Sequence, residues 1–327
     1  MIDSAGDWGH ELLGCRSTVT VLGGGTMAPG IAAVFSAAGH PVRLWARRPE
    51  AARTAVEQAV GFGEFLAEEG LAAPERSNPV TMDDLSGAVC GADLVVEAVS
   101  EDPTVKRDLY GLVEEHLRSG AVLASTTSGL DPDLLSAELD RPEGFVVMHF
   151  WNPAHLIALV EVLGGSRTAP GVVEAACALI RSIGRYPVRL DKFVPGFLGV
   201  RLQQAVVREA IALLSAGVAS AADIDAATRL SFGARFPVMG PLETSDLGGL
   251  DVVAAIHDYL LADLDASDRP QPELRRLVES GDLGTKTGRG FYDWSNRDAE
   301  DLIRRRDAEL VGRLRALGGG GVGPAHG

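Results

Sequence analysis

Cysteine and positive charge are both scarce in this chain. The three cysteines, Cys15, Cys90 and Cys177, are odd in number and lack the spacing of metal ligands. We therefore expect reduced thiols in a cytoplasmic protein. There are 30 lysines and arginines against 45 aspartates and glutamates, which gives a formal net charge of −15. This charge disfavours nonspecific binding to nucleic acid or to an anionic membrane surface.

The chain also lacks long apolar segments. No run approaches the roughly 20 residues that a helix needs to cross a bilayer. Residues 1–17 lack a basic region followed by an apolar core, so we expect a flexible polar extension rather than a signal peptide. Residues 318–327 are rich in glycine and are expected to form a flexible tail. The length of 327 residues and the 46% of hydrophobic residues suit two globular domains of ordinary size, with one large domain as the alternative.

Short β-branched runs alternate with helical patterns from Thr18 to Leu190. This alternation predicts an α/β domain over residues 18–190, with a doubly wound, mostly parallel sheet. The last strands are joined by too few residues for a helical crossover, so we expect part of the sheet to be antiparallel. The predicted strands are TVTVL, VRLW, DLVVEAV, AVLAS, FVVMHF, LVEVL and YPVRL.

The pattern changes near the stretch VPGF. Apolar residues then recur at helical spacing, beginning with a helix that we expect to start at Pro195 and to end near Gly217. Similar patterns continue almost to the glycine-rich tail. The sequence therefore predicts an all-helical C-terminal domain over residues 191–317.

A glycine-rich turn joins the first predicted strand to the first helix. In VLGGGTMAPG, Gly23 permits a tight turn, Gly25 lets the backbone approach a pyrophosphate, and Ala28 is small enough for close helix–strand packing. Gly30 follows two residues later, and free N–H groups at the helix start would face the anion. The turn predicts dinucleotide binding in a Rossmann-like domain, with a purely structural turn as the alternative.

The second predicted strand lacks the acidic residue that usually grips the adenosine ribose of NAD. Ala46 stands at that place and is followed by Arg47 and Arg48. Without the carboxylate the extra phosphate of NADP is not repelled, and guanidinium groups can bind a phosphate bidentately. We therefore predict that NADP is favoured over NAD. The alternative is that both arginines are solvated loop residues.

The stretch FVVMHFWNPAHLIALVEVLGG combines a base with a carboxylate. His149 ends one apolar strand, Glu161 lies within the next, and Asn152 lies between them. Hydride removal from an alcohol needs a base for the hydroxyl proton, and histidine suits a reversible exchange. A neighbouring carboxylate would fix its tautomer, and Asn152 could bond a substrate oxygen. On spacing alone, a structural histidine at a strand end is the alternative.

Seven ordered blocks resemble the 3-hydroxyacyl-CoA dehydrogenase family, including its λ-crystallin and gulonate 3-dehydrogenase branch. They are VLGGGTMAPGIA, VVEAVSEDPTVKRDLY, LASTTSGL, HFWNPAHLIALVEV, VPGFLGVRL, GPLETSDLGGLD and GTKTGRGFYDW, from about Thr18 to Trp294. The resemblance implies an NAD(P)-dependent oxidoreductase that interconverts a 3-hydroxyacyl group and its 3-oxo form. It also implies that the helical domain contributes to substrate binding and forms a homodimer.

The same resemblance assigns catalytic roles to individual residues. It implies that His149 is the general acid/base and that Glu161 orients it. Ser128 matches a serine that touches substrate and nicotinamide, and Asn152 matches the asparagine beside the histidine.

Three further residues match positions that contact the dinucleotide in the family. They are Glu101, Lys106 and Lys286. From the residues alone, an ion pair at a helix start is the alternative for the first two. A solvated loop lysine is the alternative for the third.

Some positions depart from the family pattern and bear on the substrate. Thr126 and Val200 stand where the family usually has asparagine, and valine can form no hydrogen bond to hold a substrate. Residues 51–76 carry four glutamates before their last three residues and only Arg53 as a base there, which would repel the phosphates of coenzyme A. The substrate is therefore predicted to be a CoA- or carrier-linked 3-hydroxyacyl group, with a free 3-hydroxy acid or a sugar acid as the alternative. A catalytically inactive dinucleotide-binding protein is the alternative from another class.

Overall fold

The computed structural model describes residues 13–14 and 16–318. Cys15 and most of the predicted N-terminal extension and glycine-rich tail lie outside these residues. The chain forms two compact units. The first runs to Leu198 and also includes the end of the last helix from Leu310, and the second comprises Gly199–Glu309.

In the described part of the chain, an eight-stranded sheet organises the first unit. The spatial order of its strands is β3-β2-β1-β4-β5-β6-β7-β8, and all neighbouring pairs are parallel except β6 and β7. The predicted α/β class with a mostly parallel sheet is thus confirmed. The strands are β1 (Val19–Leu22), β2 (Val42–Trp45), β3 (Val80–Thr81), β4 (Leu94–Glu97), β5 (Val122–Ser125), β6 (Phe145–Phe150), β7 (Leu159–Gly164) and β8 (Tyr186–Arg189).

Helices cover both faces of this sheet. Residues of β4 and β6 alternate between two apolar cores, so that Val96 and Val146 face one core while Val95 and Val147 face the other. The first core is completed by α1 (Met27–Ala37), α2 (Pro49–Glu68) and α6 (Pro170–Ser182). The second is completed by α3 (Leu85–Val89), α4 (Pro103–Glu114) and α5 (Pro132–Leu135). This three-layer arrangement is the doubly wound fold that the sequence predicts.

Two local features differ from the sequence prediction. Strand β3 was not predicted, because two exposed or half-buried residues at the sheet edge show no periodicity. Helix α7 begins at Gly199 rather than at Pro195. Gly196 and Phe197 have φ angles of +76° and +49°, and such angles interrupt a right-handed helix.

The second unit is built from helices, apart from isolated bridges around Arg289. This confirms the predicted all-helical C-terminal region. Among its described residues, Ile211, Gln271 and Leu277 are the ones buried within the single chain. Its helices are α7 (Gly199–Ser215), α8 (Ala221–Leu230), α9 (Pro241–Gly248), α10 (Leu250–Leu260), α11 (Pro272–Glu279) and the first half of α12 (Ala299–Gly318).

The sequence predicts reduced thiols and no membrane-spanning helix. Cys90 is exposed and Cys177 is buried, and both are free thiols. Burial raises the pKa of the Cys177 thiol, which keeps it protonated at neutral pH. Within residues 13–14 and 16–318, we find no helix that is both long and apolar enough to span a bilayer.

Candidate active site

The predicted site residues follow the carboxyl ends of neighbouring strands. The glycine turn follows β1, Glu101 follows β4, Ser128 follows β5 and His149 lies near the end of β6. Because the carboxyl ends of parallel strands share one edge of a sheet, these residues line the same edge. The strand order reverses between β1 and β4, which is where open α/β sheets usually bind ligands.

The turn after β1 has the geometry of a phosphate-binding turn. Gly23 has a φ angle of +141°, and a Cβ there would lie 2.3 Å from the carbonyl oxygen of Ala98. A Cβ at Gly25 would meet no atom within 4 Å, so its backbone is open to a ligand. Helix α1 begins at Met27 without a side-chain cap on its first N–H groups. Those N–H groups can bind an anion, and the turn therefore fits the diphosphate of a dinucleotide.

The packing behind this turn involves the two small residues at the start of α1. Ala28 is fully buried in the core. A Cβ added to Gly30 would lie 3.0 Å from the Cβ of Ala154, which belongs to the segment that follows β6. Small residues here let α1 approach the segment between the two candidate catalytic strands.

The end of β2 carries cations and no carboxylate. Ala46 is buried, whereas Arg47 and Arg48 are exposed just before α2 begins. The acid in the first turn of α2 is Glu50, which lies 3.6 Å from Arg53 in an exposed ion pair. The two arginines thus follow β2, which is the strand that pairs with β1.

His149 and Glu161 form a buried pair across the antiparallel strands β6 and β7. The two residues are directly opposed in the strand register, which brings their side chains together. His149 Nδ1 lies 2.8 Å from Glu161 Oε2. An ionised carboxylate can only accept a hydrogen bond, so Nδ1 carries the proton and donates it. The other ring nitrogen, Nε2, is then an acceptor in the neutral imidazole.

Glu161 is itself held in place by the chain around it. The backbone N–H of Leu198 donates to Glu161 Oε1 at 2.9 Å, and the indole N–H of Trp151 donates to Oε2 at 3.2 Å. The ring of Phe197 lies 5.6 Å from the His149 ring. The unusual backbone of Phe197 thus places both an apolar contact and a hydrogen-bond donor at the pair.

Glu101 joins Ser128 to a buried lysine. Its Oε1 accepts hydrogen bonds from Thr127 Oγ1 at 2.5 Å and from the Ser128 backbone N–H at 2.8 Å. Its Oε2 lies 3.3 Å from Lys106 Nζ. Partial burial raises the pKa of Glu101, but the hydrogen bond from Thr127 and the charge of Lys106 outweigh it and hold this pKa below its usual value. Glu101 is therefore an anion at neutral pH that fixes the loop bearing Ser128.

Glu97 binds the same lysine from within the core. Lys106 Nζ lies 2.7 and 2.9 Å from the two Glu97 oxygens, and the two side chains are 1% and 0% exposed. Tyr110 and Ser125 also donate hydrogen bonds to Glu97, at 2.6 and 2.8 Å. Glu97 was not among the site residues predicted from the sequence. The signal for it is an acid inside the apolar strand LVVE, because a buried carboxylate needs partners.

The chain matches two domain models of one protein family. Residues 18–193 match the 3-hydroxyacyl-CoA dehydrogenase, NAD binding domain, and residues 196–294 match the 3-hydroxyacyl-CoA dehydrogenase, C-terminal domain. The chain belongs to the 3-hydroxyacyl-CoA dehydrogenase family. It is a dehydrogenase with an NAD-binding domain, as the resemblance of the seven sequence blocks predicts.

Relatives of this dehydrogenase carry different names. The 5-formyl-3-hydroxy-2-methylpyridine 4-carboxylate 5-dehydrogenase of Mesorhizobium japonicum is 34% identical over 303 residues, which are 92% of this chain and 98% of that protein. The 3-hydroxyadipyl-CoA dehydrogenase of Escherichia coli is 39% identical over 286 residues, 85% of this chain and 59% of that longer protein. A crystal structure of the former type of enzyme, described as an NAD⁺ dependent dismutase, has a TM-score of 0.87 and 34% identity. That match covers 93% of this chain and 99% of the solved one.

The remaining predicted residues of this dehydrogenase lie in other surroundings. Asn152 is exposed immediately after β6 and precedes a cis proline. Val200 is half-buried in the first turn of α7, in the second unit. Lys286 is exposed and lines a cavity of about 750 Å³ within the second unit, whose walls are largely apolar.

Proposed function

We propose that the protein interconverts a 3-hydroxyacyl group and its 3-oxo form with a nicotinamide dinucleotide. The observation that carries this proposal is the 2.8 Å contact between His149 Nδ1 and Glu161 Oε2. It lies at the sheet edge that also bears the glycine turn. A bound dinucleotide would supply the hydride acceptor in the oxidative direction. The turn at Gly23 and Gly25 and the N-terminus of α1 would hold its diphosphate.

His149 would move the proton in this reaction. Its Nδ1–H donates to the ionised Glu161, so Nε2 presents a lone pair to the substrate hydroxyl. In oxidation the O–H bond breaks, and the proton passes to Nε2. The bonding electrons form the carbonyl as the carbon loses its hydride. Glu161 then stabilises the imidazolium, which returns the proton in the reverse direction.

Other residues at the sheet edge would position the two reactants. Ser128, fixed through Glu101, would contact the substrate and the nicotinamide. Asn152 would offer its exposed amide to a substrate oxygen. Glu101 and Lys286 would contribute to dinucleotide binding, as the family resemblance implies, and the buried Lys106 would act through its ion pair with Glu101.

NADP is the cofactor that the end of β2 favours. The end of β2 holds Ala46 in place of an acid, and Arg47 and Arg48 are exposed there. The solved relative is described as NAD⁺ dependent, so the two nucleotides need direct comparison. Replacing both arginines with serine should weaken NADP binding by about tenfold or more and leave NAD binding nearly unchanged. Arg53→Ser is a matched control, and equal losses for both nucleotides would contradict the NADP preference.

A free hydroxy acid is the second candidate for the substrate. The relative from Mesorhizobium japonicum is named for a pyridine carboxylate rather than a thioester. Helix α2 carries four glutamates and one arginine, a composition unsuited to the phosphates of coenzyme A. Val200 also lacks the polar group expected at its position.

A panel of substrates tests whether the protein catalyses the reaction and which form of the acyl group it accepts. The pure protein would be saturated with NADPH or NADH and mixed with 3-oxoacyl groups as CoA thioesters, as carrier-protein thioesters and as free acids. Loss of nicotinamide absorbance with one class identifies the substrate form. Tight dinucleotide binding without turnover on any member would instead support a binding protein that has lost catalysis.

A homodimer is the proposed assembly. The second unit buries few residues within the single chain, and its apolar side chains include Leu242 and Leu247, which are 80% and 77% exposed. Such exposure is typical of a surface covered by another subunit. Light scattering should give twice the chain mass, and Leu242→Glu should lower it. Leu134→Glu, at an exposed position of the first unit, is the control. A monomeric wild type would overturn the proposal.

A further inference from the structure

The indole of Trp151 shares a carboxylate oxygen with the candidate catalytic histidine. Trp151 Nε1 donates to Glu161 Oε2 at 3.2 Å, and His149 Nδ1 donates to the same oxygen at 2.8 Å. The two rings lie 5.5 Å apart at an angle of 47°, so they are neighbours without stacking. Trp151 follows His149 by two residues, which favours placement of both side chains on the same side of the chain.

A second donor on one carboxylate oxygen weakens that oxygen as an acceptor. The indole N–H is neutral, but its dipole stabilises the negative charge of Glu161. The carboxylate therefore attracts a proton or a cation less strongly. The effect is strong here because Glu161 is 1% exposed and water screens it little. Trp151 should therefore reduce the stabilisation that Glu161 gives to a protonated His149.

The elements around the pair carry other charged groups. They lie on elements that pack against β6 and β7, and they are Asp133 in α5, Glu174 and Arg181 in α6, and Arg189 in β8. Asp133 accepts hydrogen bonds from Ser166, and Glu174 pairs with Arg189. The carboxylate in contact with His149 is that of Glu161. A change at Trp151 that keeps an aromatic ring beside His149 therefore reaches the imidazole through the Glu161 carboxylate.

We propose that Trp151 is a positioning residue that sets the basicity of the His149–Glu161 pair. This inference rests on the proposed role of His149 as the acid/base. The indole N–H stabilises the carboxylate, so Glu161 stabilises a protonated His149 less than it would without Trp151.

Trp151→Phe is the decisive variant because it keeps an aromatic ring and deletes the N–H. We expect the acid limb of the profile of kcat/KM against pH, measured for alcohol oxidation, to move to higher pH by about half to one unit. Trp151→Leu removes the ring as well. Its acid limb should move to higher pH by the same amount, and the plateau of kcat/KM should be lower than in Trp151→Phe. Trp45→Phe, on β2, is the matched control and should leave the limb in place.

A second measurement reads the imidazole without any substrate. The ring signals of His149 can be assigned in an NMR titration by their loss in His149→Gln. Their midpoint should move to higher pH in Trp151→Phe by the same amount as the kinetic limb. An unchanged midpoint in both Trp151 variants overturns the inference. If the wild type turns over no hydroxy acid, the proposed function fails, but this titration still decides the role of Trp151.

Discussion

The ammonium of Lys106 is paired with the carboxylate of Glu97 at 2.7 Å, and both side chains are almost completely buried. The same ammonium reaches the half-exposed Glu101 at 3.3 Å. Since Glu101 holds the backbone of Ser128, the buried pair supports a loop at the carboxyl edge of the sheet. Removing one partner of such a pair leaves the other charge uncompensated in the core.

The first prediction concerns the stability of this pair. Glu97→Gln should lower the free energy of unfolding by about 3–5 kcal/mol, because the Lys106 ammonium loses its buried anionic partner and keeps only the more distant Glu101. The double variant Glu97→Gln/Lys106→Met replaces both charges and should lose less than the sum of the single variants. Chemical denaturation of all four proteins measures the coupling. Strictly additive losses would show that the two charges do not act as a pair.

The second prediction separates the proton carrier from its orienting partner. His149→Gln should reduce kcat by about 100-fold or more, because no side chain then accepts the hydroxyl proton. Glu161→Gln should cause a smaller loss, since the imidazole remains. Dinucleotide affinity, measured by fluorescence titration, should change little in either variant. Turnover of His149→Gln at the wild-type rate would remove His149 from the mechanism.

The third prediction compares two glycines of one turn. Gly23→Ala places a Cβ 2.3 Å from a carbonyl oxygen at a φ of +141°, and should destabilise the fold by roughly 1–3 kcal/mol or more. Gly25→Ala meets no atom within 4 Å, so its melting temperature should match the wild type. It should nevertheless bind the dinucleotide more weakly, because the new methyl group occupies the open side of the turn. Normal binding by Gly25→Ala would place the diphosphate elsewhere.

The fourth prediction concerns the pH dependence of stability. Burial lowers the pKa of His40 below 6.5, although its bond to the Ser17 carbonyl and the charge of Asp93 oppose this. The unfolded chain therefore binds the proton more readily, and stability falls as pH drops through 6.5 toward the folded pKa. His40→Gln should lose less stability than the wild type between about pH 8 and about pH 5. Identical pH profiles of the two melting temperatures would contradict this.

Much of the fold could be predicted because its signals are local. Alternation of β-branched strands and amphipathic helices indicates the sheet, and the short link between β6 and β7 indicates their antiparallel pairing. The start of α7 could not be predicted from Pro195. The left-handed backbone at Phe197 depends on its burial against the first unit and on the bond from Leu198 to Glu161, which are tertiary contacts.

The candidate site shows the same division between local and distant signals. The glycine turn stands out because of its spacing between a strand and a helix. His149 and Glu161 are assigned through the resemblance of their block to the dehydrogenase family, since spacing alone also fits a structural histidine. Glu97 and Trp151 do not, because their importance comes from partners distant in sequence or from a shared oxygen. A sequence shows that a carboxylate lies in an apolar strand, but the fold decides which donors surround it.

The antiparallel junction of β6 and β7 has a consequence for how the candidate site can be lost. His149 and Glu161 face each other because the register of two adjacent strands of one sheet opposes them. A slip of this register by one residue would turn one side chain to the other face of the sheet and separate the pair, although both residues would still be present in the sequence.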